Sequence, residues 1–276
     1  MNDYEMLIHA SYNIRKQILN LANMCGMNSH IGGSMSMVEL LVVLYRKILK
    51  FKPDDPLWDD RDYFILSKGH CVLAYYTVLE QCGLIPTEML KSFQKDGSLL
   101  SAHPVMNMRI GIESSNGSLG QGISMAVGLA KALKIIGKCN HVYTLIGNGE
   151  SNEGSVWEAA MSAVQWNLDN LTIILDNNGL QSDGDSINIM QSVSLDEKWR
   201  SFGFDVITID GNDVQEVFDA YNTPISIDKP RIIIGNTIKG CGVSFMENNN
   251  DWHHNRLTDK VYNEAMDELE KKYAGI

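Results

Sequence analysis

Basic residues are scarce in this 276-residue chain. Its 23 lysines and arginines are outnumbered by 34 aspartates and glutamates, which gives a formal net charge of −11. Nucleic acid and anionic membrane surfaces both require a concentrated basic face, so we expect neither as a partner. Paired cysteine motifs are also lacking. The five cysteines form no CxxC or CxxH pattern, which argues against a zinc site or a disulfide framework and favours a reducing, cytoplasmic location.

Long hydrophobic runs are missing too. The most apolar stretch, MVELLVVLY at residues 37–45, is short and contains Glu39, and the first ten residues carry acids but no lysine or arginine. The sequence therefore predicts neither a membrane span nor a signal peptide. It contains no internal repeat and no linker rich in proline, glycine and serine. With 44% hydrophobic residues, residues 1–276 are predicted to form a single domain.

What remains is an alternation of short β-rich runs and helical segments. Strands are predicted at 63–66, 141–146, 171–177, 204–209 and 230–237, and helices at 36–49, 71–82, 121–136, 153–166 and 212–222. Continuous apolar strands are typical of an α/β fold with a mostly parallel sheet and helices on both faces. A helical N-terminal segment is predicted over about residues 1–60, and a C-terminal helix over about 258–274, ended by Gly275.

Polar residues follow two of the predicted strands. The sequence GNGE occupies 147–150, and DNNGL occupies 176–180. Ligands of open parallel sheets gather at the carboxyl ends of the strands. A side-chain oxygen from each stretch and a backbone carbonyl would suit a hard cation such as magnesium, which would take its other oxygens from a bound diphosphate and water.

Taken alone, the GNG sequence remains ambiguous. A dinucleotide-binding fingerprint would need a third glycine at Asn152, and no lysine follows as in a phosphate-binding Walker loop. An Asn-Gly pair is also an ordinary turn dipeptide, so a turn without a ligand is the simplest interpretation of these residues by themselves.

The longer context decides between these interpretations. The stretch GNGESNEGSVWEAAMSAVQWNLDNLTIILDNNGLQSDG at 147–184 resembles the thiamine-diphosphate motif of the transketolase family, in which an asparagine follows a GDG sequence by about one βαβ step. It is similar in particular to the two-subunit transketolases, whose first half is a separate chain. Asn148 stands in place of the metal-binding aspartate of the family.

Four further regions resemble the family, in the order in which the family has them. They are NSHIGGSMSMVELL (28–41), RDYFILSKGHCVLAYY (61–76), SAHPVMN (101–107) with SSNGSLGQGISMAVGLA (114–130), and NTIKGCGVSFMENNNDWHHN (236–255). Ser29, Ile31 and His254 depart from the family pattern. The resemblance covers nearly the whole chain and implies a fold that binds thiamine diphosphate.

The resemblance also implies roles for four histidines. His70 and His253 would contact the diphosphate or thiazolium side of the cofactor. His30 and His103 would bind the carbonyl and hydroxyls of the substrate, and His30, His103 and His253 would act in catalysis. Imidazole suits these roles because it can donate, accept or carry a proton near neutral pH.

Further cofactor and metal contacts follow from the same resemblance. The backbone at Gly117 and Leu119 would approach the aminopyrimidine ring, and Gly149, Glu150 and Asn178 would line the diphosphate end. The implied ligands of magnesium, or of calcium or manganese, are Asn148, Asn178 and the Leu180 carbonyl, with Asp176 and Asp183 as possible assistants. An amide at Asn148 keeps one neutral oxygen ligand but removes a charge, so weaker cation binding is expected.

A partner chain is implied as well. In the family, a glutamate of the pyrimidine-binding domain activates the cofactor, so a C-terminal transketolase-like subunit would supply it here. Glu153 and Glu158 would join a network across the subunit interface of a heterotetramer with two sites. The implied activity is ketol transfer from a ketose, or ketose phosphate, to an aldehyde. Acyl transfer from a 2-keto acid, or a noncatalytic subunit without a metal site, are the alternative hypotheses.

Overall fold

The protein contains a five-stranded parallel sheet. The computed structural model describes residues 2–190 and 193–274. In chain order the strands are β1 (Tyr63–Leu66), β2 (Val142–Gly147), β3 (Leu171–Asn177), β4 (Leu180–Gln181), β5 (Gly184–Asp185), β6 (Asp205–Asp210) and β7 (Arg231–Asn236). The sheet has the order β1-β2-β3-β7-β6, while β4 and β5 form a separate antiparallel hairpin. The α/β fold with a parallel sheet is confirmed.

Helices surround the sheet. They are α1 (Asp3–Cys25), α2 (Ile31–Ser36), α3 (Val38–Val43), α4 (Val72–Gln81), α5 (Thr87–Leu90), α6 (Gln121–Ile135), α7 (Gly154–Gln165), α8 (Ser186–Ile189), α9 (Leu195–Phe202), α10 (Val214–Asn222) and α11 (Asp259–Tyr273). A π-helical turn, Leu44–Ile48, continues α3. The N-terminal helical region thus ends at Ile48 rather than near residue 60. Gly275, the predicted stop of the last helix, lies outside the described residues.

Helices cover both faces of the sheet. Successive residues of a strand point to opposite sides, so the strands contribute to two cores. Leu145, Ile174 and Ile233 face the core formed with α1, α3, α4, α10 and α11, whereas Ile173 and Ile232 face the core under α6, α7 and α9. The helices that lead into β2, β3 and β6 (α6, α7 and α9) lie on the second side, although α4 of the β1–β2 connection packs on the first. The returning connection from β6 to β7 crosses on the first, as right-handed crossovers require.

The register of the sheet aligns the polar strand ends. Gly147 at the end of β2 pairs with Asp176 of β3, and Asp176 pairs with Gly235 of β7. These residues therefore share the carboxyl edge, where the segments after β1, β2, β3 and β7 also emerge.

The two ends of the chain meet beside this edge. Ser29 and Asn255 form an isolated antiparallel bridge, and α1 packs against α11. Helix α1 begins with a capping box between Asn2 and Glu5 and ends at Gly26, whose φ of 64° favours glycine. Within the described part of the chain, no helix combines the length and apolar character needed to cross a membrane.

Candidate active site

A cavity of about 460 Å³ opens at the carboxyl edge of the sheet. The residues predicted as catalytic, cofactor-binding or metal-binding line it, apart from Asp176: His30, His70, His103, Gly117, Leu119, Asn148, Gly149, Glu150, Asn178, Leu180 and His253. Glu153 and Asp183 line it too. The structure thus brings these residues together, while their individual roles remain predictions.

A buried ion pair lies beneath the cavity. Asp176 has no exposed surface, and its carboxylate accepts hydrogen bonds from Lys68, from Thr237, from Ser36 at 2.6 Å and from Asn178 at 3.1 Å. Burial disfavours the ammonium of Lys68, but the charge of Asp176 outweighs it and raises the pKa of Lys68. Asp176 therefore anchors the floor of the site, a larger role than that of a turn residue.

Glu150 fixes the loop after β2. Its Oε1 accepts from the Ser67 hydroxyl at 2.5 Å and from the Gly120 amide at 2.8 Å, and its Oε2 accepts from the Gly147 amide at 3.2 Å. Burial raises the pKa of Glu150, and these hydrogen bonds oppose that effect. Both carboxylate oxygens are thus used within the protein, and Glu150 shapes the cavity through the backbone it holds.

The two asparagines predicted as cation ligands are held in different ways. Asn178 donates from Nδ2 to Asp176, so its Oδ1 faces the other way and accepts from the Leu180 amide at 3.1 Å. Asn148 donates from Nδ2 to Ser186 and to the Leu180 carbonyl at 3.3 Å. In this orientation Asn178 has its Oδ1 directed toward the Leu180 amide, whereas Asn148 directs its Nδ2 toward the Leu180 carbonyl.

The imidazoles form one cluster around His30, which caps the start of α2. Its ring centroid lies 4.9 Å from that of His70, 5.3 Å from that of His253, 6.2 Å from that of His103 and 4.4 Å from that of His254. His254 does not line the main cavity and faces a small neighbouring one. It nevertheless makes the shortest ring contact of the cluster.

Burial and repulsion from neighbouring charges lower the pKa values of His30, His70, His103 and His253 and favour their neutral forms. Burial and, to a smaller extent, the nearby His254 and His253 lower the pKa of His30 to about 3. Burial and the charge of Lys239 lower the pKa of His253 to about 4. Neutral imidazoles can each donate one hydrogen bond and accept another, which is what recognition of a hydroxyl-bearing substrate requires.

Lys239 selects the tautomer of His253. Its Nζ lies 2.9 Å from His253 Nδ1 and 2.7 Å from Asn250 Oδ1. Because an ammonium can only donate, Nδ1 accepts and the proton of His253 resides on Nε2. Burial lowers the pKa of Lys239 to about 8, so this donor loses its charge in mildly alkaline solution.

We expect the protein to lose stability as the pH falls from about 6.5 to 4. The folded state holds His30 neutral, with a pKa of about 3, while the unfolded chain binds a proton below its ordinary pKa of about 6.5. Acid therefore favours unfolding, by at most about 1.4 kcal/mol per pH unit from this residue. Urea unfolding across this range measures the slope, and His30→Asn should make it shallower. An unchanged slope would contradict the depressed pKa.

Two lysines of the site were not predicted from the sequence. Lys68 and Lys239 line the cavity, whereas the family resemblance implied roles only for the histidines in their segments. A signal was present, because Lys68 follows β1 and Lys239 follows β7 at the ligand-binding edge. By contrast, Glu158 is exposed on α7 and does not line the cavity.

Comparison with known proteins identifies the family. A family model described as transketolase, thiamine diphosphate binding domain, matches residues 14–273. The chain belongs to the transketolase family. It is 40% identical to one of the subunits of the apulose-4-phosphate transketolase of Actinobacillus succinogenes, over 96% of both chains. It is 41% identical to the 6-deoxy-6-sulfo-D-fructose transketolase subunit SqwG of a Clostridium species, over 97% of this chain and 98% of that one.

Solved structures agree with this assignment. The transketolase from Leishmania mexicana superposes with a TM-score of 0.88 at 27% identity, over 95% of this chain. This chain spans 41% of that transketolase. The predicted membership of the transketolase family, in its diphosphate-binding part, is confirmed.

The transketolase cavity fits thiamine diphosphate on its own geometry. Its volume lies in the range of cofactor sites. A Cβ at Gly149 would come within 2.8 Å of Gln181, and one at Gly117 within 3.4 Å of His103, so glycine at these positions lets Gln181 and His103 pack closely against the wall of the cavity. The predicted cation ligands are chemically suitable, since the Asn178 amide and the Leu180 carbonyl in this cavity offer neutral oxygens. The described residues contain no cluster of three His, Cys, Asp or Glu side chains suited to a metal.

Proposed function

We propose that this chain is the diphosphate-binding subunit of a two-chain transketolase. With its partner it transfers a two-carbon ketol unit from a ketose donor to an aldehyde acceptor. The observation that carries this proposal is the cavity at the carboxyl edge of the sheet, where the predicted cofactor-binding, metal-binding and catalytic residues meet. Bound thiamine diphosphate supplies the nucleophilic carbon and the electron sink for this chemistry.

The diphosphate end is assigned to the edge between β2 and β3. Gly149 and Asn178 border this end, and Asn148, Asn178 and the Leu180 carbonyl are the proposed ligands of magnesium, calcium or manganese. Glu150 holds the loop that carries Gly147 in place. The backbone at Gly117 and Leu119 is assigned to the aminopyrimidine.

The imidazole cluster is assigned to the substrate. His30 and His103 donate to and accept from the carbonyl and hydroxyl oxygens of the sugar, and proton transfer at these oxygens falls to the same rings. His70 lies near Lys68, and His253 contacts Lys239, which suits the cofactor side. Both relatives are named for ketoses that carry a phosphate or sulfo group, so we infer an anionic ketose donor for this chain.

His30→Asn is expected to lower kcat/KM for ketol transfer by about 10²-fold. This loss is at the lower end of the range for a residue that transfers protons, because three other imidazoles of the cavity surround His30. Affinity for thiamine diphosphate should change much less than turnover. Steady-state kinetics of the two-chain enzyme measures the first quantity and calorimetry the second.

His141 offers a matched control for this variant. It is a half-buried histidine immediately before β2, outside the cavity, whose Nε2 lies 2.9 Å from the Thr172 hydroxyl. His141→Asn should leave kcat/KM nearly unchanged. Equal losses in both variants would show that the effect of His30 is general destabilisation.

Two exposed apolar regions support the proposed assembly. Ile189 and Met190 line the cavity yet are 43% and 64% exposed, which suits a partner subunit that covers the site. Helices α6 and α7 pack side by side and expose Met125, Ile135 and Met161. We assign this second face, with Glu153 and Glu158 beside it, to self-association into a heterotetramer in the cytoplasm.

Donor specificity tests the proposed function. The two-chain enzyme, with thiamine diphosphate and MgCl2, should transfer carbon from a ketose phosphate to an aldehyde and should not use pyruvate. Preference for pyruvate would instead establish acyl transfer from a 2-keto acid. Failure to bind thiamine diphosphate by calorimetry, with the partner present, would establish a noncatalytic subunit.

A further inference from the structure

At the diphosphate end, the Asn148 amide joins Ser186 and the Leu180 carbonyl by hydrogen bonds. Asn148 and Ser186 are 4% and 2% exposed. The Asn148 Nδ2 donates to the Ser186 Oγ and to the Leu180 carbonyl at 3.3 Å. A carbonyl oxygen can only accept, so this contact requires the nitrogen of the amide, and not its oxygen, to face Leu180.

A carboxylate at position 148 would behave differently. It has no N–H, so one of its oxygens would face the Leu180 carbonyl, and a negative charge would be buried there. Lys68, a buried ammonium of the same cavity, is already paired with Asp176. Such a carboxylate would need a cation or a proton to be stable, because an unpaired buried charge is costly. The amide needs neither.

The amide can also serve a cation in its second orientation. Half a turn about the Cβ–Cγ bond exchanges Oδ1 and Nδ2, which places an oxygen beside the Leu180 carbonyl. The Ser186 hydroxyl can support either orientation, since it accepts from an N–H and donates to an oxygen. An oxygen pair of this kind suits a hard cation.

We propose that Asn148 and Ser186 make the diphosphate end of the cavity self-supporting without a cation, and that the amide turns only when a cation arrives together with the diphosphate. Ser186 is then a positioning residue that acts through Asn148. The cation step depends on the proposed function, whereas the cation-free stability of the site does not.

Thermal unfolding of the full chain without thiamine diphosphate tests the first half of the proposal. In excess EDTA and in millimolar MgCl2 the wild-type Tm should agree within about 1 °C. Asn148→Asp should unfold at a lower temperature in EDTA, and MgCl2 should raise its Tm by about 5 °C or more, because the ion binds only the folded state. Asn177→Asp makes the same chemical change at the end of β3, outside the cavity, and should show no response to MgCl2.

Either of two results would overturn the proposal. A wild-type Tm that rises with MgCl2 as much as that of Asn148→Asp would show that the cation already holds the site in the free chain. An Asn148→Asp Tm that is the same in EDTA and MgCl2 would show that residue 148 does not face a cation position. Neither result depends on cofactor binding, so a failure of the proposed function stays distinguishable.

Ser186 variants provide a second route. Ser186→Ala should lower the Tm equally in EDTA and in MgCl2, since it removes an acceptor of the Asn148 amide, and Ser186→Thr should restore it. An unchanged Tm in Ser186→Ala would contradict the positioning role. Calorimetric titration of thiamine diphosphate at several MgCl2 concentrations tests the proposed rotation of the Asn148 amide. Asn148→Asp should need about tenfold less magnesium for half-saturation than the wild type, because a carboxylate attracts the ion more strongly.

Discussion

Without a partner subunit, the purified chain is expected to transfer no ketol unit above the uncatalysed background. The activating glutamate of the family belongs to the pyrimidine-binding domain, and the acids that line this cavity are poorly placed to replace it. Glu150 uses both carboxylate oxygens within the protein. Glu153 precedes α7 as its capping residue, and Asp183 lies in the turn between β4 and β5.

Reconstitution measures this effect. Increasing amounts of a C-terminal transketolase-like subunit, added to a fixed amount of this chain, should restore turnover until the two are equimolar. The partner alone should be equally inactive, which serves as the control. Turnover by this chain alone, at a rate comparable to that of the mixture, would refute the two-chain arrangement and leave the family assignment untouched.

Lys68→Met should destabilise the folded protein by about 3–5 kcal/mol. The substitution keeps the length of the side chain but leaves the carboxylate of Asp176 buried without a counter-ion. Its remaining donors, Ser36, Asn178 and Thr237, are neutral. Urea unfolding at neutral pH measures the loss. Because Asp176 also orients Asn178, we expect thiamine diphosphate to bind more weakly even where the protein is folded.

Lys239→Met is the matched control for this prediction. Lys239 is also a lysine of the cavity, but its polar partners, Asn250 and His253, are neutral. Its removal leaves no unpaired charge, so the expected loss is about 1 kcal/mol or less. Equal losses in the two variants would show that packing, rather than charge pairing, makes Lys68 important.

The strands were the most predictable part of the fold. Strands β1, β2, β3 and β7 are apolar runs buried on both faces, whereas β6 at the edge of the sheet is partly exposed, and LTIILDN at 171–177 matches β3 at both ends. Helix α2 was not predicted to begin at Ile31, because the pair Gly32 and Gly33 has low helix propensity. The tertiary structure nevertheless requires a glycine in this helix, because a Cβ on Gly32 would come within 2.9 Å of the Trp252 carbonyl. No local pattern reports an approach between residues so far apart in sequence.

The candidate site was predictable where its chemistry is local to a strand end. Asn148 and Asn178 follow β2 and β3 directly, and the aligned register brings them to one edge. The pairing of Lys68 with Asp176 was not predictable, because it depends on which strands become neighbours. The same holds for Ser186, which follows the hairpin of β4 and β5 and reaches Asn148 only through tertiary structure.

The bridge between Ser29 and Asn255 has a consequence for how the protein is made. It joins segments next to His30 and His253 that lie near opposite ends of the chain. Contacts of such long sequence separation form slowly, because nearly the whole chain must be ordered first. On the ribosome, the histidine cluster can assemble only after the segment that carries His253 has emerged, so a nascent chain acquires its strands before it can hold a cofactor.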